Sequence, residues 1–166
     1  NREDRALVTF PAGAVDHLRD AGFRGNLMTP FTVGAFVTWK LYPGVKVSMD
    51  GRYEVAYPPE SLREHHRLYD AQEGWLEILW KYPTDAVLIP KPKPISDALR
   101  KEGKWALVYE DDAYEVFAKP GLTLPRADRR RLPWGVSTLR RLSEALSGPP
   151  GPALSGAGGR GRQLRR

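Results

Sequence analysis

The sequence contains no cysteine and only three histidines among its 166 residues. Without thiols the chain can form neither disulfides nor thiolate metal sites, so its composition does not indicate a redox compartment. His65 and His66 are adjacent, and neighbouring side chains on a helix point about 100° apart, which makes them poor ligands for one metal ion. We therefore expect a solvent-facing histidine pair and no metal site.

The sequence also lacks a long apolar run. Its longest apolar region, residues 31–41, is interrupted by Thr32, Thr38 and Lys40, whereas a membrane-spanning helix needs roughly 18 uninterrupted apolar residues. The chain begins with Asn1 and shows no signal peptide, so we expect a domain cut from a longer protein. A hydrophobic share of 41% and five tryptophans are enough for one packed core.

Excess positive charge is confined to the C-terminal part. Residues 1–120 contain 16 Lys and Arg against 18 Asp and Glu, whereas residues 121–166 contain 10 Arg and two acids. We therefore predict a compact domain over 1–120 and a basic, largely disordered Gly/Pro/Arg-rich tail over 121–166, with a short helix at 136–146 as the one ordered segment. Such a tail favours weak contact with anionic lipid, and no specific nucleic-acid groove is expected.

Hydrophobic periodicity predicts alternating strands and helices. We expect helices over 12–20, 60–72, 75–82 and 95–101, and strands over 26–28, 45–49, 86–89, 105–110 and 114–118. Residues 32–41 fit either a buried helix or a strand. The order predicts an α/β layered sandwich, with a mostly parallel sheet of four or five strands, a closing C-terminal antiparallel hairpin and helices on the faces. In the helix over 75–82, we expect Trp75, Leu76, Leu79 and Trp80 to face inward.

The strand over 45–49 ends at Asp50-Gly51-Arg52, where two interpretations stay open. Gly51 after an acid is typical of a tight turn with positive φ. Asp50 and Arg52 then either pair locally and cap that turn, or act on a ligand at the carboxyl edge of the sheet, beside Asn26. In the second case Arg52 would hold a phosphate or carboxylate, and Asp50 would orient it or accept from a sugar hydroxyl.

Several segments carry a resemblance to known proteins. They are Gly25-Asn26, Gly34-Ala35-Phe36-Val37, Trp39-Lys40-Leu41-Tyr42-Pro43, Asp50-Gly51-Arg52, Tyr57, and residues 81–88 and 105–111. With them the chain resembles the soluble C-terminal domain of bacterial polytopic membrane proteins related to lipid-dependent, GT-C-like glycosyltransferases. Thr29, Val33 and Ala35 depart from that pattern, which has Asn, Trp and Gly there. Any ligand contact made by the Asn or the Trp is therefore absent or altered in this chain.

The resemblance implies a role for the domain. The catalytic carboxylates of such enzymes lie in the transmembrane part, so it implies a non-catalytic, extracytoplasmic accessory domain that positions an acceptor or closes the site. Its partners would be the N-terminal transmembrane region and a lipid-linked sugar or acceptor, at the periplasmic face of a membrane and without a cofactor. The candidate ligand-binding residues are Asp50, Arg52, Asn26 and Tyr57; no catalytic residue and no metal ligand is predicted.

Two functions from other classes remain as alternatives. One is a stand-alone α/β enzyme that uses Asp50 and Arg52 on an anionic or sugar substrate. The other is an interaction module whose basic tail binds lipid or nucleic acid. The sequence has no Gly-rich phosphate loop or catalytic triad motif. The adjacent acids Asp111 and Asp112 are more typical of a hairpin turn than of a catalytic pair. Whether the chain is itself an enzyme is left open.

Overall fold

Six strands and five helices are defined within residues 9–51 and 57–128, the part of the chain that the computed structural model describes. The strands are β1 (Gly25–Met28), β2 (Val45–Val47), β3 (Ala86–Pro90), β4 (Ala106–Glu110), β5 (Tyr114–Ala118) and β6 (Ala127–Asp128). The helices are α1 (Ala12–Asp20), α2 (Gly34–Leu41), α3 (Pro59–Tyr69), α4 (Trp75–Lys81) and α5 (Pro94–Glu102).

The strands form one mixed sheet in the order β2-β1-β3-β5-β4-β6. Strand β1 is parallel to both β2 and β3, whereas β5 is antiparallel to β3 and to β4. The predicted α/β class, with a parallel part and a C-terminal antiparallel hairpin, is confirmed. Within the hairpin, β5 lies between β3 and β4, and all five of its residues are therefore buried, whereas β4 begins with an exposed residue.

Helices cover both faces of the sheet, because successive strand residues point to opposite sides. On one face, α1 and α2 pack on side chains that include Leu27, Leu88 and Val116. On the other, α3, α4 and α5 pack on side chains that include Met28, Val87 and Phe117. None of the helices in these described ranges has the length and apolar character needed to span a bilayer.

The predicted helix over 12–20 is confirmed, with Val15 and Leu18 fully buried. The ambiguous segment over 32–41 is helical, as α2. Gly34 opens α2 directly against the end of β2, and a Cβ at this position would overlap the Met49 carbonyl. Glycine therefore allows the helix to begin in backbone contact with the segment that follows β2.

Two local predictions are wrong. Trp80 is 62% exposed, although Leu79 faces inward as predicted, together with Ile78, and Trp75 and Leu76 are partly buried. The φ angle of Gly51 lies outside the left-handed region, and a Cβ there would meet none of the described residues within 4 Å. The turn at Gly51 therefore does not require glycine.

Packing continues beyond Pro120, the predicted end of the compact domain. Leu122 and Leu124 pack against the core on the α1 and α2 face. Residues Ala127 and Asp128 pair with the end of β4 as the short strand β6. Residues 129–166, which include the predicted helix over 136–146 and most of the predicted basic tail, lie outside the described residues.

The contact at Gly34 generates a prediction about stability. Gly34→Ala places a methyl group on the Met49 carbonyl, which is backbone and cannot rotate away, so we expect a loss of about 1–3 kcal/mol. Thermal unfolding followed by circular dichroism should show a midpoint lowered by about 4 °C or more. Gly51→Ala is the matched control and should leave the midpoint unchanged. Equal midpoints for the two variants would contradict the close packing of α2 on β2.

Candidate ligand-binding cleft

A cavity of about 280 Å³ lies between the β1–β2 end of the sheet and helices α3 and α4. Met28 and Ile78 contribute apolar surface to it, and Tyr57 and Tyr82 contribute aromatic rings. The remaining polar lining is formed by Asn26, Lys46, Ser48, Ser61, His65 and Thr84. Among its described lining residues there is no carboxylate.

The cleft follows from the composition of two neighbouring strands. Asn26 and Lys46 are paired in the parallel β1–β2 register, and both line the cavity. Leu27, which follows Asn26 in β1, packs into the core on the α1 and α2 face of the sheet, and Val45 of β2 packs into the same core. One face of β1 and β2 is thus apolar and covered by helices, whereas the other carries polar side chains and borders an opening.

Thr29, directly after β1, uses its three polar groups to hold three segments together. Its N–H donates to Ser48 Oγ at 2.9 Å, and its hydroxyl donates to the Met49 carbonyl at 2.9 Å. Its carbonyl accepts from His65 Nε2 at 2.8 Å. Thr29 is completely buried, so these bonds are shielded from water. They extend the β1–β2 pairing past the last strand residue and attach α3 to it.

His65 is buried against the sheet, so the prediction of a solvent-facing histidine pair is wrong for it, although His66 is exposed. Because Nε2 faces a carbonyl oxygen, it carries the proton, and the neutral ring has Nδ1 as an acceptor. Burial lowers the pKa of His65; the bond to Thr29 opposes this shift, and the charges of His66 and Lys93 add to it. The cleft therefore contains a neutral imidazole at neutral pH.

The predicted ligand-binding residues occupy different places. Asn26 and Tyr57 line the same cavity, which the sequence could not establish. Asp50 is buried and does not line it. The Tyr57 hydroxyl accepts from the Asp50 N–H and donates to Asp50 Oδ1, each at 3.2 Å, so Asp50 holds a wall of the cleft in place. Arg52 lies outside the described residues.

Asp85 fixes the other end of the cleft. Its Oδ2 accepts from the Asn26 N–H at 2.7 Å, and its Oδ1 lies 2.5 Å from Lys119 Nζ. Burial acts to raise the pKa of Asp85, but the Asn26 bond and the Lys119 charge outweigh it and lower that pKa overall. The carboxylate is therefore held in its charged form. Asn26 is anchored through its backbone, and its side chain is left to line the cavity.

Glu64 on α3 holds the helical wall of the cleft. Its carboxylate accepts from Lys81 Nζ at 2.8 Å and from the Tyr82 hydroxyl at 2.6 Å. These two bonds, together with the nearby charges of Lys81 and Arg67, lower the pKa of Glu64 against the opposing effect of burial. Glu64 thus ties α3 to the end of α4 and orients the Tyr82 ring at the cavity.

A second polar cluster joins α5 to the β4–β5 hairpin. Glu115 accepts from Arg100 at 2.8 Å and from the Ser96 hydroxyl, and Lys91 bonds to Glu110 at 2.9 Å. These paired charges stabilise the packing of the hairpin and do not line the cleft.

At the tip of the β4–β5 hairpin, Asp111 Oδ1 accepts hydrogen bonds from the N–H groups of residues 113 and 114, as expected of a turn-forming acid.

Residues 9–51 and 57–128 contain no group of three or more histidines and acids placed to hold a metal ion. No family model, curated protein or solved structure matches the chain. The resemblance to membrane glycosyltransferases therefore rests on the sequence motifs alone, and the function is inferred from the geometry of the cleft.

The bonds of Thr29 predict a specific loss of stability. Thr29→Val keeps the shape of the side chain but leaves the buried Met49 carbonyl without its donor, which costs about 1–3 kcal/mol. Chemical denaturation should show this loss. Thr32→Val, at an exposed threonine three residues away, is the control and should change the free energy of unfolding by less than about 0.5 kcal/mol. A neutral Thr29→Val would mean that this hydroxyl bond does not hold β1 to the end of β2.

His65 predicts a pH dependence of stability. Its pKa is lowered in the folded state, so below about pH 6.5 the unfolded chain takes up a proton that the folded chain resists. The free energy of unfolding should therefore fall as the pH is lowered through this window, before the carboxylates titrate. Gln at position 65 can still donate to the Thr29 carbonyl but does not titrate, so His65→Gln should flatten the profile. His66→Gln should keep most of the wild-type slope, because burial is the largest cause of the lowered pKa of His65. Parallel profiles for all three proteins would contradict the assignment.

Proposed function

We propose that the chain is a non-catalytic accessory domain of a membrane glycosyltransferase-like protein, and that the cleft binds the polar part of an acceptor or a lipid-linked sugar. The observation that carries this proposal is the cavity itself. Its described lining has an amide, hydroxyls and one ammonium group beside one face of the sheet, and no carboxylate. Convergent polar groups in a concave site are typical of small-molecule binding.

The lining favours a sugar phosphate as the ligand class. The side chains of Asn26 and Ser61 can both donate to and accept from sugar hydroxyls. Lys46, exposed on the edge strand β2, can contact a phosphate as a point charge. The Thr84 hydroxyl cannot donate to a sugar in the same way, because it already donates to the Tyr82 carbonyl at 2.6 Å. The volume is near the lower end for ligand sites, which favours one sugar ring over a longer saccharide.

The same lining supports binding without chemistry. Glycosyl transfer or hydrolysis commonly needs carboxylates beside the reacting bond, and the carboxylate predicted here, Asp50, is buried behind Tyr57. The imidazole of His65 is tied to a backbone carbonyl at Nε2. These contacts disfavour the alternative of a stand-alone enzyme acting through Asp50 and Arg52. In the proposed arrangement, catalytic groups come from a transmembrane region, and this domain lies on the extracytoplasmic side of the membrane.

The proposal predicts weak, specific binding to the cleft. Titration of the full chain with glucose 1-phosphate and mannose 1-phosphate, followed by amide NMR shifts, should move residues of β1, β2 and α3. Lys46→Ala should weaken phosphosugar binding by about ten-fold through loss of the charge, and Asn26→Ala should weaken binding of the free sugars as well. Lys101→Ala, at an exposed lysine on α5, is the control and should have no effect.

Three outcomes separate the possibilities. Shifts confined to β1, β2 and α3 that are lost in the two cleft variants would support the proposal. Absence of shifts there at millimolar ligand would contradict it. Release of phosphate or free sugar by the purified chain, abolished by Asp50→Asn, would contradict the non-catalytic role and favour the enzyme alternative.

A further inference from the structure

Four aromatic side chains form an exposed surface beside and on α2. Phe10, Trp39 and Tyr42 are 55%, 71% and 77% exposed, and Phe36, which is half-buried, lies between Phe10 and Trp39. The Phe10 and Phe36 rings are 5.0 Å apart, and the Phe36 and Trp39 rings are 6.2 Å apart in an edge-on arrangement. We refer to these four residues as the aromatic patch.

The exposed rings of the aromatic patch lie outside the core that α2 buries, and only Phe36 packs partly against that core. The inner face of α2 is formed by Gly34, Val37 and Leu41, which are buried. Trp39 and Tyr42 contribute nothing to that core, and two such exposed rings on one short segment are unusual for a surface that contacts only water. Stabilisation of the fold therefore does not explain why aromatic residues are placed here.

The segment that contains α2 and the Tyr42-Pro43 tip has basic residues and no acid. Residues 21–45 contain Arg24 and Lys40 and no acid. Lys40 Nζ lies 3.8 Å from the centre of the Trp39 ring, and the Arg24 side chain lies beside Gly44, next to the Tyr42-Pro43 tip. On the neighbouring helix α1, Asp16 and Asp20 both contact Arg19, at 2.9 and 3.4 Å, so Arg19 offsets one of their two negative charges.

We propose that the aromatic patch, with Lys40 and Arg24, docks on the surface of a lipid bilayer that contains anionic headgroups. Trp and Tyr rings suit the headgroup region because each has an apolar body and a polar edge. Lysine and arginine beside them meet the negative surface potential of such a bilayer. A second copy of the chain fits less well, since a two-fold contact through α2 would bring Lys40 and Arg24 of both copies into one interface, and residues 21–45 contain no acid to pair with them.

This docking is independent of the cleft. Phe36 packs on the core of the α1 and α2 face, whereas the cleft is lined from the α3 and α4 face. A bilayer contacting α2 would therefore leave the cleft accessible. Loss of sugar binding and loss of lipid binding can thus be measured separately, and neither result decides the other.

Vesicle sedimentation of the full chain tests the docking. We expect binding to phosphatidylcholine vesicles that contain phosphatidylglycerol, with weaker binding when the anionic lipid is omitted or salt is raised. The double variant Trp39→Ala/Tyr42→Ala should lower the partition coefficient at least about ten-fold. Trp80→Ala removes a comparably exposed tryptophan, 62% exposed, from α4 and should change it less than about two-fold.

Contact at the aromatic patch can also be observed directly. With lipids brominated in the acyl chains, part of the tryptophan fluorescence of the bound chain should be quenched. Trp39→Phe preserves an aromatic side chain and should remove that quenched component, whereas Trp80→Phe should not. Equal vesicle binding by wild type and the double variant, without quenching at Trp39, would assign lipid binding to the basic C-terminal segment and overturn the proposal. A concentration-dependent dimer that the double variant abolishes would overturn it in favour of a second copy.

Discussion

The hydrogen bonds of Thr29 are the contacts on which the candidate site depends. One threonine joins β1 to Ser48 and to the Met49 carbonyl, and it joins both strands to α3 through His65. Because strand β2 is only three residues long and lies at the sheet edge, the ladder alone holds it weakly. The Thr29 bonds fix the segment after β2, and the same segment receives Gly34 of α2 on its other side. Residues 48–50 therefore contact both the end of β1 and the start of α2, on the two sides of the sheet edge.

Around this point the cleft is held by carboxylates that bond to other parts of the protein. Asp85 anchors the backbone of Asn26, Glu64 holds Lys81 and Tyr82, and Asp50 holds Tyr57. Each acid is engaged by donors, which leaves the cavity lined by neutral polar groups and one lysine. Such a lining is suited to hydrogen bonding with a polyol and to charge pairing with a phosphate. On the opposite side of the sheet from the cleft, the aromatic patch on α2 exposes rings and cations. The two faces therefore differ in the side chains that they expose to a ligand or a partner.

Much of the fold could be predicted because its signals are local. The apolar run over 86–89, flanked by turns, gives a strand buried on both faces, and Val15 and Leu18 one turn apart give the inner side of α1. The order of these elements limited the sheet to a parallel part followed by a hairpin. The position of β5 inside the sheet was not available from periodicity, because strand order depends on contacts between segments distant in the chain. Asn26 and Tyr57 were identified as site residues from the resemblance, but their common place in one cavity is a tertiary property.

The amino-acid sequence by itself determined the α/β class, the boundaries of most elements and the absence of thiol chemistry, since these follow from composition and from neighbours within a few residues. Only the tertiary structure decided which polar side chains are structural. His65 and His66 are adjacent in the chain, yet one is buried on the Thr29 carbonyl and the other is exposed. Trp75 and Trp80 belong to one helical pattern, yet only Trp75 packs against the core. The physical reason is that burial and hydrogen bonding of a side chain are set by what another segment places beside it, and that information is not contained in the side chain's own sequence neighbourhood.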